Sequence, residues 1–278
     1  MQESKPVLVR SATNPRIRQL VRLRDNRARR KANCVLVDGW RETNRAAQAG
    51  LTIQGLFVAE SALDEPLLRR LDPQLSKSTL VSDALLQQIC YGDSPRGIVA
   101  VFDRPTRSLE QLCVPACPLL LILDRIEKPG NVGAIFRSAD AVGIDALLLC
   151  ESADVFNPNA IRNSLGSVFE VPFACGDEAE LGQFLIDRQI TPIAARVESS
   201  TPLWETDLGG PLAIIVGSEA HGLHDRWRWL CGGSANESQQ RPAEIQGVRI
   251  PMHGSGDSLN VSTSAAVILY EAARQRRA

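Results

Sequence analysis

The sequence predicts an α/β protein of two domains, the second built on a parallel sheet. Three observations carry this reading. Strand-like apolar runs alternate with helical segments along the chain; the runs beyond residue 118 are almost continuously apolar, as strands covered on both faces are; and a stretch with three prolines, "DRPTRSLEQLCVPACP", interrupts the alternation. The 278 residues suffice for two separate cores. The expected layout is a small α/β domain over residues 1–103, a linker over 104–117 and a larger domain over 118–278.

In chain order, "NPRIRQLVRLRDNRARRK" (14–31) places Ile17, Leu20, Val21 and Leu23 near helical spacing and arginines on most other faces, so it reads as an amphipathic basic helix or helix pair. "CVLVDGWRETNRAAQAG" follows as a strand, a glycine turn and a helix closed by Gly50. "IQGLFVAE" and "RGIVAVF" read as strands and "SDALLQQICYG" as a capped helix. Past the linker, strands are expected at 119–123, 146–150, 168–173, 191–195, 212–217 and 248–252, with helices between most of them. The last helix, within "SLNVSTSAAVILYEAARQRR", has Ser and Asn at its start and cations in its last turn, as the helix dipole favours. Residues 231–247, polar and turn-rich, read as an exposed insertion.

The net charge of −1 conceals a polarised chain: Met1 to Gly50 holds 12 Lys or Arg against 4 Asp or Glu, leaving 19 against 28 for the rest. A basic first segment on an acidic body points either to a polyanionic partner or to a solvated helical face. Seven scattered cysteines, mostly in apolar runs, suit reduced thiols in the cytoplasm. No stretch approaches the roughly 20 apolar residues that span a bilayer.

Three short stretches each follow an expected strand: "EKPGNVGAIFRSADA", "VGSEAHGL" and "IPMHGSGDSLNVS". In a parallel sheet all three gather at the edge where ligands bind. "PGNVG" matches neither the dinucleotide turn nor the phosphate loop, so its glycines fit a tight strand-to-helix turn equally well. Arg137 sits in a small, apolar helix, and two readings stand: a side chain that snorkels to water, or an anion clamp whose rigid fork of donors fits phosphate. Glu219 serves either a ligand or the next helix N-terminus. His221, His224 and His253 lack the ligand logic of a zinc site, and neither serine-containing motif is a nucleophile elbow, so no metal and no serine hydrolysis are expected.

In this order and context the three stretches resemble the signature motifs of the SpoU family of RNA ribose 2'-O-methyltransferases, within the SPOUT superfamily. "NVGAIFRSADAVG" looks like motif one, "IIVGSEAHGL" motif two and "IPMHGSGDSLNVSTSAAVILYEAARQR" motif three. "NPRIRQLVRLRDNRARRKANCVLVDGWRETNRAAQAG" and "SPRGIVAVF" are similar to the family's substrate-binding domain, of the fold of ribosomal protein L30e. Asp38 departs from the Glu that relatives often carry before Gly39.

The resemblance implies a deep trefoil knot in the catalytic domain, S-adenosylmethionine held in it largely by backbone groups, and a homodimer whose active site borrows from both subunits. Positions matching the family's cofactor contacts are Gly217, Ile250 and Leu259, with Ile215 and Ser264 besides. Arg137 matches the catalytic arginine; because a guanidinium is not deprotonated in proteins, it is expected to hold the neighbouring phosphate and stabilise the developing alkoxide rather than act as base. Asn131, Glu219 and Asn260 match the other polar positions that orient Arg137 or the ribose, and Ser258 one that bonds the substrate phosphate. Arg16, Arg22, Arg27, Arg29, Arg30 and Lys31 are expected to grip RNA through its backbone charge. Ribosomal RNA is favoured over transfer RNA. The competing classes are an RNA-binding module of the same fold without catalysis, and an NAD-dependent oxidoreductase, for which the dinucleotide turn is missing.

Overall fold

The computed structural model describes residues 8–62, 78–91, 96–198, 200–218, 220–230 and 243–277. The chain forms two compact units, one of Met1–Thr106 with Val155–Glu170 and one of Arg107–Asp154 with Val171–Ala278. The second stretch of the first unit comes from the middle of the sequence expected to form the second domain.

The first unit is a five-stranded mixed sheet in the order β1-β4-β3-β5-β2. Its elements are β1 (Leu8–Val9), α1 (Pro15–Arg22), α2 (Asn26–Lys31), β2 (Cys34–Asp38), α3 (Trp40–Gln48), β3 (Ile53–Ala59), β4 (Ser78–Val81), α4 (Asp83–Ile89) and β5 (Ile98–Asp103). β3 and β2 flank β5 antiparallel, whereas β4 runs parallel to β3 and β1. The basic stretch is two short helices. Asn14 caps α1 by accepting from the Arg16 N–H, and Asp25 caps α2 by accepting from the Ala28 N–H. Ile17 and Leu20 of α1 join Leu23 and Leu85, Leu86 and Ile89 of α4 in one core with Leu36, Phe57 and Val99. The excursion Val155–Glu170 carries α6 (Pro158–Asn163) onto β2, and the Arg104 guanidinium lies 5.0 Å from the Phe156 ring centre.

The second unit holds seven strands in the order β10-β14-β9-β11-β6-β7-β8, every pairing parallel. They are β6 (Leu119–Asp124), β7 (Ala146–Cys150), β8 (Phe173–Gly176), β9 (Thr191–Ala195), β10 (Ser200–Pro202), β11 (Leu212–Val216) and β14 (Gln246–Arg249), joined with α5 (Pro129–Val142), α7 (Glu178–Asp187) and α8 (Val261–Arg276). β6, β7 and β11 are buried at every residue, which is why they read as unbroken apolar runs. A two-stranded antiparallel pair, β12 (Trp229–Leu230) with β13 (Ala243–Glu244), stands apart from the sheet. α7 opens with a reciprocal cap between Asp177 and Glu180. α5 ends where Gly143 turns left-handed at φ 76°.

The structure corrects the expected elements in several places. The run at 168–173 is not one strand: Ser167–Phe169 is a 3-10 turn begun by Gly166 at φ 91°, and the strand starts at Phe173. Buried apolar turns and buried strands share one hydropathy signature, so spacing alone does not separate them. The last strand lies at 246–249 rather than 248–252, which returns Gln246 and Gly247 from the expected insertion to the sheet. Residues 231–242 of that insertion lie outside the described residues. β1, β4 and β10, short and partly exposed, gave no pattern to read.

Candidate functional site

β9, β11 and β14 are neighbours in the sheet, and a cavity of about 790 Å³ opens beyond their C-terminal ends. Its walls come from the residues after β9 (Arg196, Val197, Glu198), after β11 (Gly217, Ser218 and His221 to Asp225) and after β14 (Ile250, Met252), and from the start of α8. Ligands gather there because parallel strands end together and their following loops diverge.

Of the residues expected to hold the cofactor, Gly217, Ile250, Leu259 and Ser264 line this cavity. Ile215 does not; it is fully buried on β11 among Ile122, Leu148 and Ala194 of the sheet core. Gly217 has a steric reason to be glycine. A β-carbon there would stand 2.3 Å from the carbonyl carbon of Gly222 and 2.6 Å from the Leu223 nitrogen, because the loop folds back over it. The fold-back is fixed by the Gly222 N–H donating to the Ser218 carbonyl at 2.9 Å and the His221 N–H donating to Ser218 Oγ at 3.2 Å.

Asn131 and Asn260 come together although 129 positions apart: Asn260 Nδ2 donates to Asn131 Oδ1 at 3.4 Å. Asn260 also caps α8, its Oδ1 accepting from the Ser262 N–H at 2.9 Å. Since a backbone N–H can only donate, that contact fixes which Asn260 atom is the oxygen and leaves its amide free to donate to Asn131. Asn260 and Ser258 both line the cavity, as does Lys128 just before α5.

Arg137 is exposed on α5, opposite the face formed by Val132, Ile135, Phe136 and Ala139, and it has no hydrogen bond or ion pair with a described residue. Six residues on from Asn131, it is rotated by about 120° and displaced by about 9 Å along the helix. It does not line the cavity. Glu219 lies outside the described residues.

Among the residues expected to grip RNA, Arg16, Arg22, Arg27, Arg30 and Lys31 are exposed on α1 and α2. Arg29 is a correction: it is 1% exposed, and its Nη1 donates to the carbonyls of Leu23 and Arg24 at 2.8 Å each. The guanidinium fastens the turn between the two helices. In a run of arginines at helical spacing one position must face the sheet, and the pattern does not reveal which carries a partner.

An arginine that sequence reasoning passed over anchors the cavity wall. Arg226 ends the loop after β11; its Nε and Nη2 both donate to Asp124, its Nη2 also reaches Glu151 at 3.4 Å and its Nη1 lies 3.3 Å from Glu178. The adjacent Trp227 N–H donates to Glu178 as well. Burial works against the charge on Arg226, but the Asp124 hydrogen bonds and charge hold it above its ordinary value. The same setting pushes the Cys150 thiol up to about 12, by burial first and by Asp124 next. No sequence signal marks this cluster, because its members come from three distant strand and helix ends. Arg196, in the cavity wall, donates to the Trp227 carbonyl and is lowered by burial and then by the charge of Arg228. Among the described residues no group of three His, Cys, Asp or Glu could hold a metal ion.

A parallel α/β sheet with a cavity of mixed apolar and polar lining at its C-terminal edge defines a small-ligand enzyme scaffold. The SpoU rRNA Methylase family model matches residues 118–270, and an MRM3-like substrate binding domain matches residues 14–100. The chain therefore belongs to the SpoU rRNA methylase family. It is 31% identical, over 96% of its length and 92% of the relative's, to the 23S rRNA (uridine(2479)-2'-O)-methyltransferase of Streptomyces viridochromogenes. It is 29% identical to the 23S rRNA (guanosine-2'-O-)-methyltransferase RlmB of Escherichia coli K12, covering 80% of this chain and 90% of that one. Among solved structures, an RNA 2'-O ribose methyltransferase is similar at TM-score 0.83 and 36% identity, covering 98% and 100% of the two chains. The methyltransferase AviRb of Streptomyces viridochromogenes in complex with AdoMet is similar at TM-score 0.82 and 29% identity, covering 95% and 99%.

Proposed function

We infer that the protein transfers a methyl group from S-adenosylmethionine to a ribose 2'-OH of ribosomal RNA. The observation that carries this is the meeting of the second and third motif segments at one cavity, to which the first is joined by Lys128 in the lining and by the Asn131–Asn260 hydrogen bond where α8 begins. Relatives over nearly the whole chain are named as 23S rRNA 2'-O-methyltransferases, and a similar structure holds AdoMet, which supports both substrate and cofactor.

The residues present fit that cofactor. The cavity falls within the size of small-molecule sites, its walls carry Val248, Ile250, Leu259 and Ile268 for a flat apolar group, and the bare α-carbon of Gly217 admits the loop that closes it. S-adenosylmethionine supplies the electrophilic methyl when bound. Gly217, Ile250, Leu259 and Ser264 bracket it, whereas Ile215 supports the wall from the core. Asn131 and Asn260 orient the ribose so that its 2'-oxygen approaches in line. Arg137 and Glu219 complete the polar set, Arg137 countering the charge on the developing alkoxide and the adjoining phosphate. Ser258 bonds substrate phosphate. Arg16, Arg22, Arg27, Arg30 and Lys31 supply the salt-sensitive grip on RNA through the first unit.

The protein acts as a cytoplasmic homodimer in this reading. Arg137 stands off the lining of its own chain's cavity, which supports an active site completed by a second copy. A groove between α5 and α8, lined by Ala141, Val142, Tyr270 and Ala273 with Arg274 and Arg277, offers a surface for that copy, and Tyr270 is 55% exposed. The return of α8 against α5 after β14 has entered the sheet between β10 and β9 supports the knotted path. The test is 2'-O-methyl mapping of ribosomal RNA from cells with and without the protein, paired with S-adenosylmethionine calorimetry. Identical maps and no heat of binding would sink the reading.

A further inference from the structure

The loop that follows β11 carries two side chains that the mechanism above does not use. His221 and His224 both line the cavity, both are exposed, and they are the only aromatic rings among its described lining residues. Their ring centres lie 5.4 Å apart with 31° between the planes, within the range of favourable aromatic pairing.

The loop backbone that carries these rings is braced. Its first turn closes on Ser218 and folds back over Gly217, Leu223 between the two histidines is 3% exposed, and Arg226 ties its end to Asp124, Glu151 and Glu178. The backbone at His224 is left-handed, at φ 46°. Two planar rings are thus presented on a braced segment, so little ordering remains for a ligand to bring about.

The chemistry that fits such a surface is a nucleobase. A nucleotide whose 2'-OH is to meet Asn131 and Asn260 in line has to leave its helical stack, and an unstacked base gains most from a new aromatic face. Asn260 and Ser258 share the cavity with the two histidines, so a ribose at the first pair leaves its base within the same walls. S-adenosylmethionine also carries a base, adenine, bound in that cavity under the proposed function.

We propose that His221 and His224 form a stacking platform for a nucleobase, supplied either by the target nucleotide of the RNA or by the adenine of the cofactor. The inference rests on the proposed function. It is tested with the full-length protein, a transcript of 23S rRNA and S-adenosylmethionine, measuring RNA Kd by filter binding and cofactor Kd by calorimetry. The variants are His221→Ala and His224→Asn, which remove one ring each, Asn being chosen because it tolerates the left-handed backbone, and His221→Phe, which keeps a ring without the imidazole nitrogens. Both side chains are exposed, so melting temperatures should match the parent and report intact folding.

Loss of a ring is expected to weaken one ligand by roughly ten- to a hundredfold, as removal of a stacking side chain does, while His221→Phe stays within about threefold of the parent. A rise confined to RNA Kd assigns the platform to the target base, and a rise confined to cofactor Kd assigns it to adenine. Unchanged affinity for both ligands in His221→Ala and His224→Asn overturns the proposal. So does a His221→Phe variant as impaired as His221→Ala, because the nitrogens rather than the ring face would then matter. A parent protein that binds RNA but gives no heat with S-adenosylmethionine refutes the methyltransferase reading instead, and the RNA arm still decides the platform.

Discussion

Replacing Gly217 with alanine tests how the cavity wall is built. The added β-carbon would meet the Gly222 carbonyl carbon at 2.3 Å, its oxygen at 2.4 Å and the Leu223 nitrogen at 2.6 Å. All three are backbone atoms, so no side chain can swing aside and the loop itself has to move. Overpacking of this kind costs about 1–3 kcal/mol, and backbone obstruction places Gly217→Ala near the upper end. For a chain of this size that corresponds to a fall in Tm of roughly 6–12 °C. A displaced loop also withdraws the wall proposed to bracket the cofactor, so S-adenosylmethionine affinity should fall by about tenfold or more, or some 1.4 kcal/mol. Thermal unfolding and titration calorimetry on the same samples measure both. Gly254→Ala is the control, since no atom lies within 4 Å of its β-carbon position, and it should behave as the parent. Parental Tm and affinity in Gly217→Ala would refute the reasoning that the fold-back needs a bare α-carbon.

Four further outcomes follow from the geometry. Arg226→Met leaves Asp124, 1% exposed, without its cation and should cost about 3–5 kcal/mol in denaturant unfolding; a loss below about 1 kcal/mol contradicts the role given to the clamp. Arg29→Ala removes the two hydrogen bonds to the Leu23 and Arg24 carbonyls and should lower stability, whereas Arg27→Ala with Arg30→Ala should leave stability intact but weaken RNA binding and flatten its salt dependence. Burial raises Asp38 from 3.8 to about 6, against the lowering influences of Arg162, the Tyr91 N–H and Arg96. Its protonated form therefore favours the fold: that stability is complete below the ordinary value and is lost as pH rises through about 6. Asp38→Asn should remove this pH dependence and be more stable than the parent at pH 7, by up to about 3 kcal/mol; an Asn variant that is less stable there speaks against it. Finally, Arg137→Ala should abolish methyl transfer while cofactor affinity stays within about threefold, because Arg137 does not line the cavity. Turnover near the parental rate in that variant removes Arg137 from the mechanism.

Much of the second unit is legible in the order of its residues because its strands obey one rule. β6, β7 and β11 are buried on both faces, and burial on both faces writes an unbroken apolar run. The cavity is legible for a related reason: residues that follow neighbouring parallel strands must meet, so the motif positions Gly217, Ile250 and Leu259 fall together by topology alone. What spacing leaves dark is pairing. Arg29 and Arg27 look alike in sequence, yet one donates to two carbonyls inside the fold and the other faces water. Arg226 meets partners 102, 75 and 48 positions away, and no local pattern encodes such a meeting. The run at 168–173 misleads because apolar residues in a turn and in a strand carry the same signature.

The excursion Val155–Glu170 bears on how this architecture can be inherited. The chain passes between its two compact units three times, at 106, at 154 and at 170, rather than once. Ile161, Val168 and Phe169, all nearly inaccessible, belong to the unit that begins with the basic helices, although the methylase family model spans them. A single genetic crossover in the Pro-rich stretch would therefore separate residues that belong to one compact unit. An N-terminal unit grafted onto a foreign catalytic sequence would have to find a matching 155–170 segment there. Substrate specificity in such a protein is expected to evolve by substitution within paired segments, with the two stretches of that unit changing together, more readily than by wholesale exchange of its front half.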